Sequence, residues 1–287
     1  MNLYRYISFE EFINLITIKC FHYVNPTNWQ DVYEGAMFKA LEAPQSRKQL
    51  LLALMKEPSQ NGAEIALKNY CKLIFAKYHW FGQCWTYESE ESDAFWRIYS
   101  YDNHAIRIST TTRQIDDLFP SDLYYKESKK VKYDSVSDDR FVQKMLNETL
   151  QVKSTYECYF HKRKAFQHEK EYRFLASPKN DNERSALSFH FLAIRSNLRN
   201  QLNKLDDYPS KKEEWIFFMD DAILLAGTNI HLSETDLSVP FSSASAVINS
   251  VLVHPFAPQW YVELIKQVCI ENGLAFDGQS KLYSANF

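Results

Sequence analysis

Glycine is scarce in this chain, and its scarcity excludes several classes of nucleotide-binding protein. Only 6 of the 287 residues are glycine, and no arrangement of them spells G-x-G-x-x-G or G-x-x-x-x-G-K-[ST]. A Rossmann dinucleotide-binding turn and a P-loop are therefore excluded. The G-x-S-x-G elbow of hydrolases and the H-E-x-x-H motif of metalloproteases are absent as well.

Long apolar runs and paired cysteines are also missing. No window approaches the ~18 consecutive apolar residues of a membrane-spanning helix. The first residues, MNLYRYISFEEF, lack the basic segment and apolar run of a signal peptide. The 5 cysteines are scattered without C-x-x-C, and Cys158, His161 and His168 match no usual zinc spacing. We therefore expect a cytoplasmic protein with reduced thiols, no membrane contact and no metal.

Charge and aromatic content leave the class of partner open. The net charge of −3 gives no overall basic field that would draw the protein onto nucleic acid. Basic residues cluster locally in Lys126–Lys132 and His161–Lys164, either as solvated faces or as a phosphate-binding rim. Aromatic residues make up 15% of the chain, and they form either an aromatic-rich core or platforms that stack flat ligands.

The order of predicted elements indicates an α+β fold in a single domain, residues 1–287. The strands lack the regular βαβ rhythm of a parallel sheet. A helix is predicted after Ser8, with Glu11 as its capping-box partner, and another ends at Gly273. Strands are predicted at Leu3–Tyr6, Cys20–Val24, Trp80–Thr86, His104–Ser109, Lys129–Tyr133, Glu169–Ala176 and Leu282–Ser284. Further helices are predicted at Asp93–Ser100, Asp138–Tyr159, Gln259–Asn272 and within a helical insertion at about 36–78, while Leu187–Arg195, Trp215–Leu225 and Val247–His254 are predicted as strand or mixed.

Two glutamates stand two positions apart in the segment KAFQHEKEYRFLAS, residues 164–177. On one strand Glu169 and Glu171 would point to the same face, roughly 7 Å apart, and would repel each other. Arg173 on the same face could let them coexist. The pair is either a solvated edge or a site, because two carboxylates with separate roles occur in catalysis at a glycosidic carbon.

Other polar side chains also have two interpretations. Arg5 lies between Tyr4 and Tyr6 and either pairs with Asp31 or Glu34 or binds a phosphate or carboxylate of a ligand. The loop with Trp29, Gln30, Asp31 and Glu34 either satisfies backbone groups or holds Arg5 or a ligand hydroxyl. Trp85 and Trp96 are core residues or stacking platforms, and Thr86 at a strand end could orient a glutamate or contact a ribose.

These segments resemble an uncharacterised family of bacterial proteins, a domain of unknown function. Its members open with an LYRY-like strand and a P-x-x-W-x-D-x-x-E loop, followed by C-[WF]-[ST], W-x-x-Y and E-x-E-x-R. The corresponding segments are Leu3–Tyr6, Pro26–Glu34, Cys84–Thr86, Trp96–Tyr99 and Glu169–Arg173. The tail with Val253–Pro255 and Ser280–Leu282 is similar too, so the resemblance spans nearly the whole chain without giving a function.

The order of arginine, hydroxyl residue and E-x-E is similar to the Arg–Ser–Glu order of ADP-ribosyltransferases. That resemblance implies a mainly antiparallel, split sheet with flanking helices and NAD as the substrate. Arg5, with its neighbour Tyr6, would hold the NAD phosphates and ribose, and Thr86 would support Glu171. Glu171 would stabilise the oxocarbenium-like transition state, and Glu169 would handle the acceptor. The residues implied to stack on nicotinamide are Trp85, Trp96 or Tyr99.

The same resemblance implies a macromolecular acceptor (RNA, DNA or protein) and a role as a toxin held by an inhibitory antitoxin partner, or in phage defence. The chain departs from the family pattern with Cys–Trp–Thr in place of Ser–Thr–Ser and with a long gap between Thr86 and Glu171. Convergence of Arg5, Thr86 and Glu171 on one cleft is the structural observation that would favour this hypothesis.

Two other functions stay open from the sequence. A metal-dependent nuclease could use Glu127 and Lys129 as E-x-K after Asp116, Asp117 or Asp122. A non-enzymatic module could use a charged cleft to bind a partner.

Overall fold

The computed structural model describes most of the chain, and all structural statements below concern that part. The described residues are 1–29, 31, 33–34, 38, 43–99, 102–134, 140, 144, 156–179, 181–227 and 236–284, with the backbone alone for 181–187. The predicted helix Asp138–Tyr159 lies mostly outside them, and its described end, Glu157–Phe160, is a single 3-10 turn.

The described residues form a nine-stranded sheet in which every pairing is antiparallel except one, between the last two strands. This architecture, with helices flanking a mainly antiparallel sheet, confirms the α+β class. The strands are β1 Asn2–Ile7, β2 Cys20–Val24, β3 Phe81–Thr86, β4 Ile106–Thr111, β5 Tyr124–Lys130, β8 Glu171–Pro178, β9 Asp236–Pro240, β10 Ser250–Val253 and β11 Ala275–Gln279. Two short strands, β6 Lys132–Asp134 and β7 His161–Arg163, pair in parallel as a separate sheet.

The sheet divides at β3. One edge of β3 pairs with β8 along its whole length, from Phe81 to Thr86. The other edge is shared by two strands, because β1 pairs there at Thr86 and β2 pairs at Gly82. One arm continues from β1 through β4 and β10 to β11, and the other continues from β2 to β9. Apolar side chains of both arms, including Leu3, Tyr23 and Val251, meet in the main hydrophobic core.

Nine described helices flank the sheet, and four of them form a second core. Leu175 of β8 belongs to this second core, whereas its neighbours Phe174 and Ala176 belong to the main core. Alternation of side chains along the strand thus places β8 between two apolar layers. The helices of the second core are Pro44–Leu54, Gln60–His79, Asp181–Leu202 and Lys212–Ala226. The other helices are Phe9–Ile18, Asp93–Ile98, Thr112–Asp116, Ala244–Val247 and Gln259–Glu271.

Local signals in the sequence account for several boundaries. Ser8 and Glu11 form the predicted capping box, which begins the first helix. Gly273 follows the last long helix with φ of +66°, a left-handed conformation that glycine adopts without strain. No helix among the described residues is long and apolar enough to cross a membrane.

Three predicted elements are wrong. Leu187–Arg195 and Trp215–Leu225 are helical, since they lie within Asp181–Leu202 and Lys212–Ala226. Short apolar runs fit a buried helix as well as a buried strand, and here the buried residues recur at helical spacing, as in Trp215, Met219 and Ile223. Leu282–Ser284 is not a strand, because the last strand, β11, ends at Gln279.

Candidate functional site

The two glutamates of the E-x-E segment do not share a strand, so that prediction is wrong. Residues Lys164–Glu169 form a 3-10 turn, and Lys170 ends it in the left-handed conformation with φ of 43°. Strand β8 begins only at Glu171. The turn at Lys170 breaks the alternation that the extended pattern predicted. Both carboxylates nevertheless reach the same ammonium group, that of Lys162.

Glu171 is a buried carboxylate that pairs with two cations, Arg173 and Lys162. Only 5% of the residue is exposed, and the Arg173 Nη2 group donates to both carboxylate oxygens at 2.9 Å. The backbone N–H of Glu171 donates to the hydroxyl of Tyr133 at 2.8 Å. Burial alone would raise the pKa of Glu171, but the charges of Arg173 and Lys162, with a hydrogen bond from the Cys84 thiol, hold that pKa below its ordinary value. Glu171 is therefore ionised at neutral pH.

Arg173 is completely buried and organises the centre of the site. Its Nη2 group also binds Glu34 at 3.0 Å, and its Nη1 group donates to the carbonyl of Tyr159. Its guanidinium carbon lies 4.1 Å from the ring centroid of Trp29, in a cation–π contact. One arginine thus joins strand β8 to the loop that contains Trp29 and Glu34.

Lys162 is the cation that both E-x-E carboxylates share. Its Nζ atom lies 2.6 Å from Glu169, 3.1 Å from Glu34 and 3.6 Å from Glu171. Burial would lower the pKa of Lys162, but these three carboxylates raise it above its ordinary value. The ammonium therefore stays charged.

Glu169 lies at the more open side of the same cluster, with 24% of its side chain exposed. Burial raises its pKa, and the neighbouring charges of Glu171 and Glu34 raise it further, against the opposing effect of Lys162. Glu169 and Glu171 thus have pKa values shifted in opposite directions by different surroundings.

The loop W-x-D-x-x-E supplies partners for the cations of two later segments. Trp29 and Glu34 hold Arg173, while Asp31 binds Arg163 at 3.0 Å. The predicted pairing of Arg5 with Asp31 or Glu34 is therefore wrong, since both carboxylates take cations from β7 and β8 instead. Gln30 of this loop lies outside the described residues.

Thr86 lies directly opposite Glu171 in the sheet register, but it does not bind the Glu171 carboxylate. Its hydroxyl donates to the carbonyl of Lys170 at 3.4 Å and accepts the N–H of Glu88 at 3.2 Å. Cys84, two residues earlier on the same strand face, is the β3 residue whose thiol helps Arg173 and Lys162 to lower the pKa of Glu171 against the effect of burial. Thr86 thus stabilises the turn at Lys170 by bonding to the backbone of Lys170 and Glu88.

Arg5 does not share the sheet face of Glu171 and Thr86. Tyr4 pairs with Thr86, and Thr86 with Glu171, so alternation along β1 turns Arg5 to the opposite face, with Leu3 and Ile7 of the main core. Arg5 is half-buried, and its charge acts on Tyr23 of β2 and on Tyr99. Tyr99 is 44% exposed, yet burial of its hydroxyl end raises its pKa, and the charges that act on it are those of Arg5, Cys84, Glu169 and Glu11. Tyr99 therefore lies within electrostatic reach of the E-x-E segment.

The remaining predicted binding residues are packed inside the protein. Trp85 is 2% exposed and donates its indole N–H to Gln83, and Trp96 is 1% exposed and donates to Glu91. Tyr6 packs edge-on against Trp96 at 4.8 Å, and its hydroxyl accepts the N–H of Ser92. Of the three rings implied to stack on nicotinamide, Tyr99 alone has a large exposed fraction.

Carboxylates take up much of the charge of the two basic runs. Lys129 and Lys132 both bind Glu157, and Lys162 and Arg163 are held as described above. The runs therefore offer a smaller phosphate-binding rim than the sequence suggested.

The residues suggested for a nuclease do not converge. Asp116 accepts a hydrogen bond from Ser128, on the β5 face opposite to Glu127 and Lys129, and Glu127 accepts one from Tyr156. Across the described ranges, no three histidine, cysteine or acidic side chains are grouped as a metal ion would require.

Comparison with known proteins gives one match. A family model described as "Protein of unknown function (DUF2971)" matches residues 95–174. The matched part includes Trp96, Tyr99 and the E-x-E-x-R segment, which supports the resemblance to a family of unknown function over these residues. The LYRY strand and the W-x-D-x-x-E loop lie outside it. No curated protein and no solved structure matches the chain.

Proposed function

We propose that this protein is an ADP-ribosyltransferase-like enzyme that breaks the nicotinamide–ribose bond of NAD and transfers ADP-ribose to an acceptor. One observation carries the proposal: Glu169 and Glu171 share the ammonium of Lys162, yet their pKa values are shifted in opposite directions. Two carboxyl groups made different by their surroundings are typical of catalysis at a glycosidic carbon.

The charge of the cluster suits the cationic transition state of this reaction. Three carboxylates, of Glu34, Glu169 and Glu171, face two cations, of Lys162 and Arg173, so the formal sum is one negative charge. When the C1′–N bond breaks, its electron pair leaves with the nicotinamide nitrogen and the ribose becomes an oxocarbenium-like cation. An ionised Glu171 beside that ribose stabilises the developing positive charge.

Glu169 has the properties of the group that activates the acceptor. It is the more exposed of the two carboxyls, and its raised pKa brings it closer to neutral pH. The acceptor atom forms a bond to C1′ and loses its proton to Glu169, which completes the transfer. Water as the acceptor would give free ADP-ribose.

Tyr99 provides a binding surface on the β1 side of the site. Tyr99 lies within electrostatic reach of both Arg5 and Glu169, so a ligand along its ring would extend from β1 to the E-x-E segment. The division of the sheet at β3 agrees with the split sheet that the resemblance implies. A protein, RNA or DNA acceptor, and a toxin or defence role under an inhibitory partner, complete the proposal.

The test is turnover of NAD labelled in its adenylate, with wild type, Glu171→Gln and Glu169→Gln compared. Wild type should release nicotinamide, and Glu171→Gln should lower the rate about a hundredfold or more because it removes the charge beside the ribose. Glu169→Gln should lower transfer to the acceptor more than NAD cleavage. The exposed Glu263, with 59% of its side chain accessible, gives the matched control Glu263→Gln. Wild type that neither binds nor consumes NAD would exclude this function.

A further inference from the structure

Arg107 of β4 is a buried cation without an acidic partner. Only 8% of the residue is exposed, and its Nη2 group donates to the carbonyl of Ser89 at 2.6 Å. Its Nε atom is buried and has no hydrogen-bond partner among the residues that the structure describes. Within the described ranges no carboxylate forms an ion pair with it, whereas buried Arg47 binds Asp220 and buried Arg173 binds both Glu34 and Glu171. A buried arginine without a carboxylate is costly unless another anion binds it.

Acidic side chains near Arg107 bind other partners. Glu88 is held by Lys170, and Glu91 accepts hydrogen bonds from the indole of Trp96 and the hydroxyl of Ser280. The guanidinium of Arg107 instead stacks over aromatic rings, with its central carbon 3.9 Å from the centroid of Tyr4. Stacking holds the planar group in one orientation and leaves its remaining N–H groups for an acceptor.

The register of the sheet places Arg107 on the same face as Glu171. Arg107 pairs with Tyr6 across β1, and Tyr4, on the same face of β1, pairs with Thr86. Thr86 in turn pairs with Glu171. The guanidinium of Arg107 stacks on Tyr4 of β1, and one strand, β3, lies between β1 and the strand of Glu171, β8. The guanidinium is therefore about two strand spacings, roughly 10 Å, from β8.

We propose that Arg107 is the principal anion-binding residue of this face and holds a phosphate group of the ligand. The planar fork of arginine suits a phosphate, with two parallel hydrogen bonds. A separation of two strands suits a ligand with a ribose beside Glu171 and a phosphate beyond it. The identification of the anion as the pyrophosphate of NAD rests on the proposed function, but the anion site itself does not.

The first experiment measures binding of inorganic pyrophosphate and of ADP-ribose to wild type, Arg107→Gln and Arg107→Lys by calorimetry. Loss of charge-assisted hydrogen bonds should weaken both ligands roughly tenfold to a hundredfold in Arg107→Gln, with a smaller loss in Arg107→Lys. Adenosine, which has no phosphate, should show no such difference. Arg113→Gln is the matched control, because Arg113 carries the same charge just beyond β4 and has 90% of its side chain exposed.

A second measurement uses wild type alone, so it does not depend on the variants folding. The Nε–H and Nη–H signals of Arg107 should shift when pyrophosphate is added, since none of the described residues accepts a hydrogen bond from the Nε–H group. Absence of pyrophosphate binding in wild type, or equal affinity in a folded Arg107→Gln protein, overturns the proposal. Pyrophosphate binding that depends on Arg107, in a protein that neither binds nor consumes NAD, supports the anion site and excludes the proposed enzyme.

Discussion

The indole ring of Trp29 covers the guanidinium group of Arg173, with 4.1 Å between the ring centroid and the guanidinium carbon. The contact requires a residue without a side chain beneath the ring. Gly82 of β3 fills that position, and a Cβ atom there would lie 2.5 Å from Trp29 and 3.0 Å from Leu175. The branch-point strand of the sheet and the loop of Trp29 are therefore fitted to each other at Gly82.

Gly82→Ala should destabilise the protein by about 1–3 kcal/mol, because the ring of Trp29 must move away from Arg173. Urea unfolding measures the free energy of unfolding of both proteins. In a Trp29→Ala background the same change should cost much less. An equal cost in both backgrounds would contradict the steric explanation.

Arg173→Met should lower the free energy of unfolding by about 3–5 kcal/mol, because two buried carboxylates would lose their shared cation. The double variant Arg173→Met with Glu171→Gln should recover part of that loss, since one uncompensated charge is removed. Urea unfolding of the four proteins in this cycle gives the coupling between the two residues. If the free-energy changes of the two single variants add up to that of the double variant, the two residues do not interact.

Glu171→Gln and Glu169→Gln should change the pH dependence of stability in opposite directions. The lowered pKa of Glu171 means that its stabilisation is present above the ordinary carboxyl pKa and is lost as the pH falls through the folded value. The raised pKa of Glu169 means that wild type loses stability as the pH rises from the ordinary value through the folded one.

The stability that Glu171→Gln loses relative to wild type should therefore be largest at neutral pH. The stability of Glu169→Gln relative to wild type should increase as the pH rises. Unfolding free energies from acidic to neutral pH measure both differences. Parallel curves for the two variants would show that the two carboxyls are equivalent.

Lys162→Met should raise the pKa of Glu169 further, because Lys162 supplies the charge and the hydrogen bond that oppose burial. Lys162→Arg should leave the pKa nearer to the wild-type value. Carbon NMR of the labelled glutamate side chain follows this titration without any activity assay. Lys164→Met, two residues away and exposed, is the control. A Glu169 titration that is unchanged in Lys162→Met would contradict the role given to this ammonium.

Cys84→Ala should raise the pKa of Glu171, whereas Thr86→Ala should leave it near the wild-type value. The reason is that the Cys84 thiol is one of the groups that lower the pKa of Glu171, while Thr86 binds the backbone of Lys170 and Glu88. The same NMR titration measures both variants, and Cys84→Ser should preserve the donor. A larger change in the pKa of Glu171 in Thr86→Ala than in Cys84→Ala would contradict this explanation.

The sequence predicts well those features that depend on neighbouring residues. The capping box of Ser8 and Glu11 and the stop at Gly273 are local, and both occur as expected. The run Trp215–Leu225 shows the limit of such reasoning, because its length and apolar content suit either a helix or a strand. The segment is helical because it packs against the helices Pro44–Leu54 and Asp181–Leu202.

The candidate site was predicted in part for the same reason. Glu169 and Glu171 attract attention by repetition alone, but their geometry depends on the left-handed turn at Lys170, which the letters E-K-E do not reveal. Arg107 was missed, although alternation in HAIRIS already places it opposite to Ile106 and Ile108. The partners of Arg173 come from the loop at Trp29 and Glu34, about 140 residues earlier, so only the assembled fold brings them together.

The division of the sheet at β3 has a consequence for biosynthesis on the ribosome. Strand β2 finds its outer partner in β9, with Cys20 opposite Pro240, so the pair is separated by about 220 residues. At typical rates of synthesis β2 would wait roughly 10–45 s for this partner. During that interval its backbone is an unpaired edge that can join another nascent chain. Slow elongation or a shortage of chaperones should therefore reduce the yield of native protein without changing the stability of the folded protein.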